Sequence, residues 1–384
     1  SEVIAFCLCC IPMLNAFQSK YGLLICMIVY IIRFSRNLRI TAPFFSMFLL
    51  MVWEILHCIE GEFSVVGILR LFAELIFCSL LMSCEIDGLD FKRIIRSFAI
   101  VTIIICFIIL FAQLKQYSYR MELLFTSNYR FGYGVTTDGL SVGLNPNLLA
   151  FVCLSAIEGL FIMVYKKKNK LVDIVMILLL FMFGLLTMSR KFIICALMFF
   201  ILFMFARESR YSKSKVLGLL FIVLLVVYFA LLAFFPSVIN SILARFRGDD
   251  MSSGRDVLFE FYNRQFASNT SLLFFGVGFL GYEEKLSYMF PGMLIPHNAI
   301  QELIAMWGIP GLILFTIFLI NMINLARKQN KNIKFINFIP LIVYAAFVQA
   351  AQMVSSSVVV MLIAIVYLYL ATDLTKLNSE SLIP

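Results

Sequence analysis

Apolar runs separated by short polar or basic interruptions fill almost the whole chain. They fall near residues 3–17, 21–32, 43–58, 64–82, 98–114, 146–165, 171–186, 192–206, 216–235, 301–325, 336–351 and 354–371. A helix needs about 20 predominantly apolar residues to cross a hydrocarbon core of about 30 Å. Runs of this kind, with so few charges inside them, predict membrane-spanning helices. Two of the divisions rest on length. Residues 171–206 and 335–372 are nearly continuous apolar stretches, and each as a single helix at about 1.5 Å per residue would be over about 50 Å long. The first must break at Thr187-Met188-Ser189-Arg190-Lys191 and the second over 353–357. The pattern therefore predicts twelve spans, the first two of them short.

Composition agrees. Of 384 residues, 62% are hydrophobic and 14% charged, with a mean hydropathy of +0.99. A soluble domain sits near half apolar and a quarter charged, so a water-soluble fold is excluded. The prediction is an all-α polytopic membrane protein, with residues 1–384 forming a single membrane domain. The first run lacks a basic flank and a small-residue cleavage site, so it reads as a span and not as a signal peptide. Almost all of the ten cysteines lie inside apolar runs, without a Cys/His cluster. They read as small hydrophobes, with no disulfide framework and no metal site.

The net charge of +9 might suggest nucleic acid in a soluble chain; here the position of each cation carries the information. Basic clusters follow every even-numbered run: Arg33/Arg36/Arg39, Lys92/Arg93/Arg96, Lys166/Lys167/Lys168/Lys170, Arg207/Arg210/Lys213/Lys215 and Arg327/Lys328/Lys331/Lys334, with Lys376 after the last. Short Lys/Arg-rich loops stay cytoplasmic, so both termini are expected inside. Two of the outward loops are long, 115–145 and 236–300. Long loops in compact proteins are usually functional or disordered. The larger contains a helical piece at 254–266, with Ser253 as its expected N-cap and Asp256 three residues later. Its mixture of Val257, Leu258, Phe261, Tyr262 and Phe266 with polar residues suits a helix lying along the membrane surface.

The cations outside the cytoplasmic clusters include eight arginines: Arg70, Arg120, Arg130, Arg190, Arg245, Arg247, Arg255 and Arg264. The positive-inside rule should deplete that face, and Arg is preferred over Lys where phosphate or carboxylate is gripped by two parallel hydrogen bonds. For any one of them, pairing with Asp138, Asp249, Asp250, Asp256, Glu283 or Glu284 is the plain alternative. As a set they point to an anionic ligand at the outer leaflet. Arg190 sits in a tight turn between two apolar helices, where an ionisable group costs about 2.5–3.5 kcal/mol on insertion scales and marks a functional site by default. Its neighbour Lys191 reads as snorkelling to head groups. Arg70 and Glu74 share a helix face and neutralise each other.

The chain has two histidines. His57, at the end of the third run, reads as structural. His297, in Pro296-His297-Asn298, precedes a helical stretch over 299–307 that is interrupted at Gly308-Ile309-Pro310-Gly311. It therefore stands at the amino end of a half-helix, whose dipole favours the neutral, proton-accepting imidazole. A lone interfacial His is ordinarily a hydrogen-bonded polar residue; beside the arginines, a general-base role is the stronger reading.

Asn145-Pro146-Asn147, Ser189-Arg190, Gly254-Arg255, Gly276-Val277-Gly278, Pro296-His297-Asn298 and Gly308-Ile309-Pro310-Gly311 follow in that order. In order, sidedness and spacing the chain resembles the O-antigen polymerase and O-antigen ligase family of bacterial envelope glycosyltransferases, over roughly residues 140–325. The resemblance implies a GT-C-like enzyme of the bacterial inner membrane with its site on the periplasmic side, using an undecaprenyl-pyrophosphate-linked oligosaccharide as donor and no metal or other cofactor. It implies that Arg190 and Arg255 bind the pyrophosphate and that His297 deprotonates the acceptor hydroxyl. Arg245, Arg247, Arg264, Asn147 and Asn298 follow as further glycan- or pyrophosphate-binding positions. Membrane lipids, a chain-length regulator and a flippase are its implied partners, and nucleic acid is not one. Heavy use of Phe, Ile and Asn favours the polymerase branch, with a ligase acting on lipid A-core as the alternative. A lipid-linked oligosaccharide flippase is the reading from another class. It would place its charges near the midplane and repeat its halves, whereas here the charges gather at the outer face.

Overall fold

The computed structural model describes residues 40–58, 82, 88–116, 119, 130–132, 135–137, 140–166, 171–206, 213–234, 239–240, 242–243, 254–349 and 358–374. The helices are α1 (Ala42–Cys58), α2 (Gly88–Gln116), α3 (Pro146–Lys166), α4 (Leu171–Leu186), α5 (Arg190–Phe205), α6 (Lys213–Phe234), α7 (Arg255–Ser268), α8 (Thr270–Phe274), α9 (Tyr282–Met289), α10 (Ala299–Gln329), α11 (Phe335–Val348) and α12 (Val358–Ala371). Among the described residues the extended backbone is confined to a short antiparallel ribbon in the 115–145 loop, pairing β1 (Val135–Thr137) with β2 (Leu140–Val142).

Nine of the twelve apolar runs fall on described residues and each is a helix: α1 to α6 and α10 to α12. The runs at 3–17, 21–32 and 64–82 lie outside the described residues, as do Arg70 and Glu74. Among the described residues, three helical segments are long and apolar enough to cross a bilayer unaided: Phe91–Gln116, Pro146–Val164 and Ala299–Gln329. Shorter apolar helices (Ala42–His57, Leu171–Leu186 and Phe335–Val348) stand beside them. The molecule is a helical membrane protein.

α3 is the hub. It packs against α2, α4, α5, α11 and α12, and 94% of its apolar window is buried. Phe151 meets Tyr344 and Phe347 of α11 edge-on, and Phe161 meets Phe199, Phe200 and Phe203 of α5. The outer helices instead carry exposed apolar side chains, among them Ile104 and Phe111 of α2, Ile194 and Ile201 of α5, and Ile313 and Ile320 of α10. So much exposed apolar surface suits a lipid-facing perimeter and not a monomer in water. At one end of the bundle Arg96 of α2 makes a two-pronged ion pair with Asp173 of α4, at 2.9 and 2.7 Å, which fixes the relative height of the two helices.

The break between α4 and α5 falls where length required it. α4 stops at Leu186, Met188 adopts φ 51°, and α5 starts at Arg190. α11 ends at Val348 and α12 begins at Val358, with 350–357 outside the described residues. Two expectations are corrected. α2 begins at Gly88, ten residues before its apolar run, because the basic segment with Lys92, Arg93 and Arg96 continues the same helix. The N-cap of α7 is Gly254 in place of Ser253; its left-handed backbone, φ 72°, makes the turn into the helix without a side-chain cap.

α10 contains the interruption expected at Gly308, which sits at φ 67°, ψ −170° and separates a half-helix at 299–307 from the remainder. Only glycine adopts that region readily. A Cβ there would also lie 2.2 Å from the Phe274 carbonyl oxygen. Gly308→Ala is therefore expected to lose about 1–3 kcal/mol to backbone strain alone and more to this clash. Yield and thermal stability in detergent check it, and a variant as stable as wild type removes the constraint.

Candidate functional site

Two clusters lie at the two ends of the 299–307 half-helix, which spans about 13 Å. The first is a hydrogen-bonded knot at its carboxyl end. Val277 N and Gly278 N donate to the carbonyls of Ala305 and Met306, at 2.8 and 2.7 Å. Trp53 Nε1 of α1 donates to Trp307 O at 2.9 Å. The broken helix would otherwise leave those carbonyls without partners inside a membrane protein. Gly276 and Gly278 take positive φ, and a Cβ on Gly276 would lie 2.5 Å from Met306 O. The Gly-Val-Gly segment is thus a strap for the half-helix.

Glu54 completes the knot. Its buried carboxylate accepts from Phe279 N at 2.8 Å, Leu280 N at 3.0 Å and Trp307 Nε1 at 2.7 Å. His57, one turn on, bridges the carbonyls of Trp53 and Phe275, in keeping with the structural role expected of it. Glu54 was not among the residues singled out from the sequence. Its signal was there: a lone carboxylate near the end of an apolar run invites the argument that was applied to Arg190.

The second cluster is cationic and lies at the amino end. Asn298 caps α10 through its Oδ1, which accepts from Ile300 N and Gln301 N, and its Nδ2 donates to Gln349 O and Oε1. These bonds position the helix start. His297 immediately precedes it, half-buried, its Nδ1 2.8 Å from Ile295 O. Facing a carbonyl, Nδ1 carries the proton, which leaves Nε2 as the basic nitrogen. Burial, and after it the positive charges of Arg255 and Lys191, holds the His297 pKa below its ordinary 6.5 against opposing backbone hydrogen bonds. The expected direction stands, but the larger cause is desolvation and neighbouring cations, where the sequence suggested the helix dipole.

α7 carries Arg255 and is tied to α10 by two bridges. Tyr262 Oη donates to Leu294 O at 3.0 Å, just before His297. Gln301 Nε2 donates to Phe259 O and Asn263 Oδ1, at 2.8 and 2.9 Å. Leu258, Tyr262 and Phe266 form the buried stripe of α7, four residues apart. Val257 of the same helix is exposed.

The other cations come from the start of α5 and from the 115–145 loop, which meet at the turn between α4 and α5. Arg130 donates from Nε to Thr187 O at 2.9 Å and from Nη2 to Asn147 Oδ1 at 3.1 Å, and Ser189 Oγ donates to the same Asn147 oxygen at 3.1 Å. Asn147 Oδ1 therefore tethers this turn to the start of α3. Lys191 is buried, with Arg255 and Arg130 as the cations that bear on it. Far from reaching head groups, it points into the protein.

Of the sequence candidates, the fold brings His297 and Arg255 into one electrostatic cluster, and adds Lys191 and Arg130. Arg190 is half-buried at the first position of α5, and its charge is not among those bearing on His297. Arg264 stays out: its side chain is 80% exposed and pairs with Glu260 at 3.3 Å, on the outward face of α7. Arg245 and Arg247 lie outside the described residues.

The Arg255–His297 relation has a measurable consequence. With two histidines in the chain, selectively labelled imidazoles give two resonances. The His297 signal is expected to titrate below 6.5 in the wild type and to move upward in Arg255→Gln, because removing a nearby positive charge favours the protonated ring. An unmoved titration would separate the two residues. Compared with protein-family models and with curated proteins, the chain matches none.

Proposed function

We propose that the protein is a metal-independent glycosyltransferase of the bacterial inner membrane. It joins undecaprenyl-pyrophosphate-linked repeat units of an O-antigen or capsular polysaccharide at the outer face of that membrane. Twelve spans with both termini inside, in a GT-C-like arrangement, are part of this reading. The observation that carries it is the neutral-favouring His297 set against buried Lys191 and half-buried Arg255 and Arg130 at the end of a strapped half-helix. A base that must accept a proton and cations that must hold an anionic leaving group are the two needs of transfer from a lipid pyrophosphate.

In that reaction His297 Nε2 takes the proton of the acceptor sugar hydroxyl. The resulting oxygen attacks the anomeric carbon of the donor, and the bond from that carbon to the pyrophosphate oxygen breaks. The electron pair leaves with the pyrophosphate, where Arg255 and, in the sequence-based assignment, Arg190 stabilise it. Fixed positive charge in a water-poor site is commonly the largest catalytic contribution.

The test is incubation of the purified protein in detergent with its lipid-linked repeat unit alone, followed by gel separation of the glycans. A ladder that disappears in His297→Ala is the expected result and identifies a polymerase. Transfer only after lipid A-core is added would make the protein a ligase, the second reading. No transfer with either acceptor would overturn both and favour a flippase.

A further inference from the structure

Lys191 is a poorly accommodated ionisable group in the described structure. Its relative exposure is 8%, and its Nζ is buried without a hydrogen-bond partner among the described residues. Its contact is the ring of Phe347 on α11, with the ammonium 5.8 Å from the centroid. Such a contact contributes about 0.5–2 kcal/mol, whereas removing an ammonium from water costs several kcal/mol even after the protein relaxes. The surroundings deepen the deficit. The positive charges of Arg255 and Arg130 both bear on Lys191 and disfavour its charged form. Among the described residues no carboxylate forms a salt bridge with it.

Three elements converge to build this arrangement, and each is fixed independently. Arg130 is oriented by Thr187 O and Asn147 Oδ1. Lys191 is set by the first turn of α5, directly after Ser189, which bonds the same Asn147 oxygen. Arg255 is held through the bridges between α7 and α10. Cations so placed around a buried ammonium repel one another. An anion carrying two or more negative charges reverses the sign of all these interactions together, and Lys191, a compact point charge with three donors, suits a phosphoryl oxygen.

We infer that Lys191, with Arg255 and Arg130 beside it, is the floor of a seat for a pyrophosphoryl group, and that Lys191 is the inward-facing cation of the Ser189-Arg190-Lys191 turn. Resting on the glycosyltransferase reading, this adds to Arg255 a binding residue that reading did not name and places His297 at the rim of the seat. The pyrophosphoryl group belongs either to a polyprenyl lipid or to a free anion.

The test uses the full chain in detergent, with inorganic pyrophosphate and undecaprenyl pyrophosphate as probes in calorimetry and thermal melts. Lys191→Met keeps the length of the side chain and removes the charge. It is expected to fold, to melt at or above the wild-type temperature without ligand, because a buried amine without a hydrogen-bond partner has gone, and to bind pyrophosphate about 10–100-fold more weakly. Lys191→Arg should recover part of that binding. A residue with only a structural role would give the opposite pair, a lower melting temperature with affinity unchanged. Lys191-dependent binding of the lipid form alone assigns the seat to a lipid head group; equal dependence for both probes means the anion suffices. Wild-type affinity in Lys191→Met, or no binding of either probe by the wild type, overturns the inference. The two proposals fail separately. Lys191-dependent binding by a protein that transfers glycan to neither acceptor leaves the seat and removes the glycosyltransferase, whereas a ladder formed by Lys191→Met with unchanged kcat and KM does the reverse.

Discussion

His297→Ala lowers the rate of glycan transfer by about 10²–10⁴-fold, the usual worth of a positioned general base, while folding and membrane insertion stay at wild-type levels. The structure separates the two effects. His297 is half-buried and its ring makes a 2.8 Å hydrogen bond to Ile295 O, a contact worth about 0.5–1.5 kcal/mol. The helix that follows is capped by Asn298 and bridged to α7 through Gln301, and neither depends on the imidazole. The pH profile adds a second readout. Because burial and the cations of Arg255 and Lys191 hold the His297 pKa below 6.5, the active neutral form persists into mildly acidic solution. The acid limb of kcat/KM is expected below 6.5, and activity rises with pH through it. Side by side, initial rates of ladder formation and melting curves for the two proteins decide the matter. Near-normal product from His297→Ala would falsify the general-base assignment.

Glu54→Ala is expected to be the most damaging single change to stability outside the glycines. Its carboxylate is buried and holds three donors, two backbone amides and the Trp307 indole. Truncation leaves each without its acceptor, at about 1–3 kcal/mol apiece, so a loss of several kcal/mol is expected from a protein whose whole margin is about 5–15. Glu54→Gln keeps the shape and one acceptor oxygen but turns an NH2 towards a donor, so it should fall between alanine and wild type. The consequence reaches the cationic cluster. Glu54, Trp53 and the 276–278 strap fix the carboxyl end of the half-helix whose amino end carries His297. Partly folded Glu54→Gln protein should therefore lose transfer activity beyond its loss of folded fraction. Thermal melts and activity per folded molecule check this; specific activity equal to wild type would uncouple the knot from the site.

The positions of the helices were legible because the signal is local. Apolar length against bilayer thickness predicted runs that are all helices wherever the chain is described, and the same arithmetic located the break before Arg190. The break at Gly308 was legible for a similar reason: Gly-Ile-Pro-Gly cannot continue a regular helix, and His297 falls at the start of the half-helix it creates. Errors arose where a residue's neighbours come from elsewhere in the chain. Arg190 and Lys191 are adjacent in sequence, and from sequence the arginine was preferred. Roughly 100° of helix turn between them sends the lysine inward, which depends on what packs against α5. Arg264 fits the arginine pattern but lies on the outward face of α7, paired with Glu260.

By itself, then, the sequence determined that the chain is a helical membrane protein, where its described helices fall, and that a histidine precedes a broken helix, because these follow from hydrophobic length and backbone chemistry within a few residues. The tertiary structure alone decided that Glu54 satisfies amides more than 200 positions away, that Asn147 and Asn298 tether elements, and that Lys191, Arg255 and Arg130 act on one another. Electrostatic and hydrogen-bond partners depend on distance in space, and one-dimensional spacing carries that only for residues on the same helix.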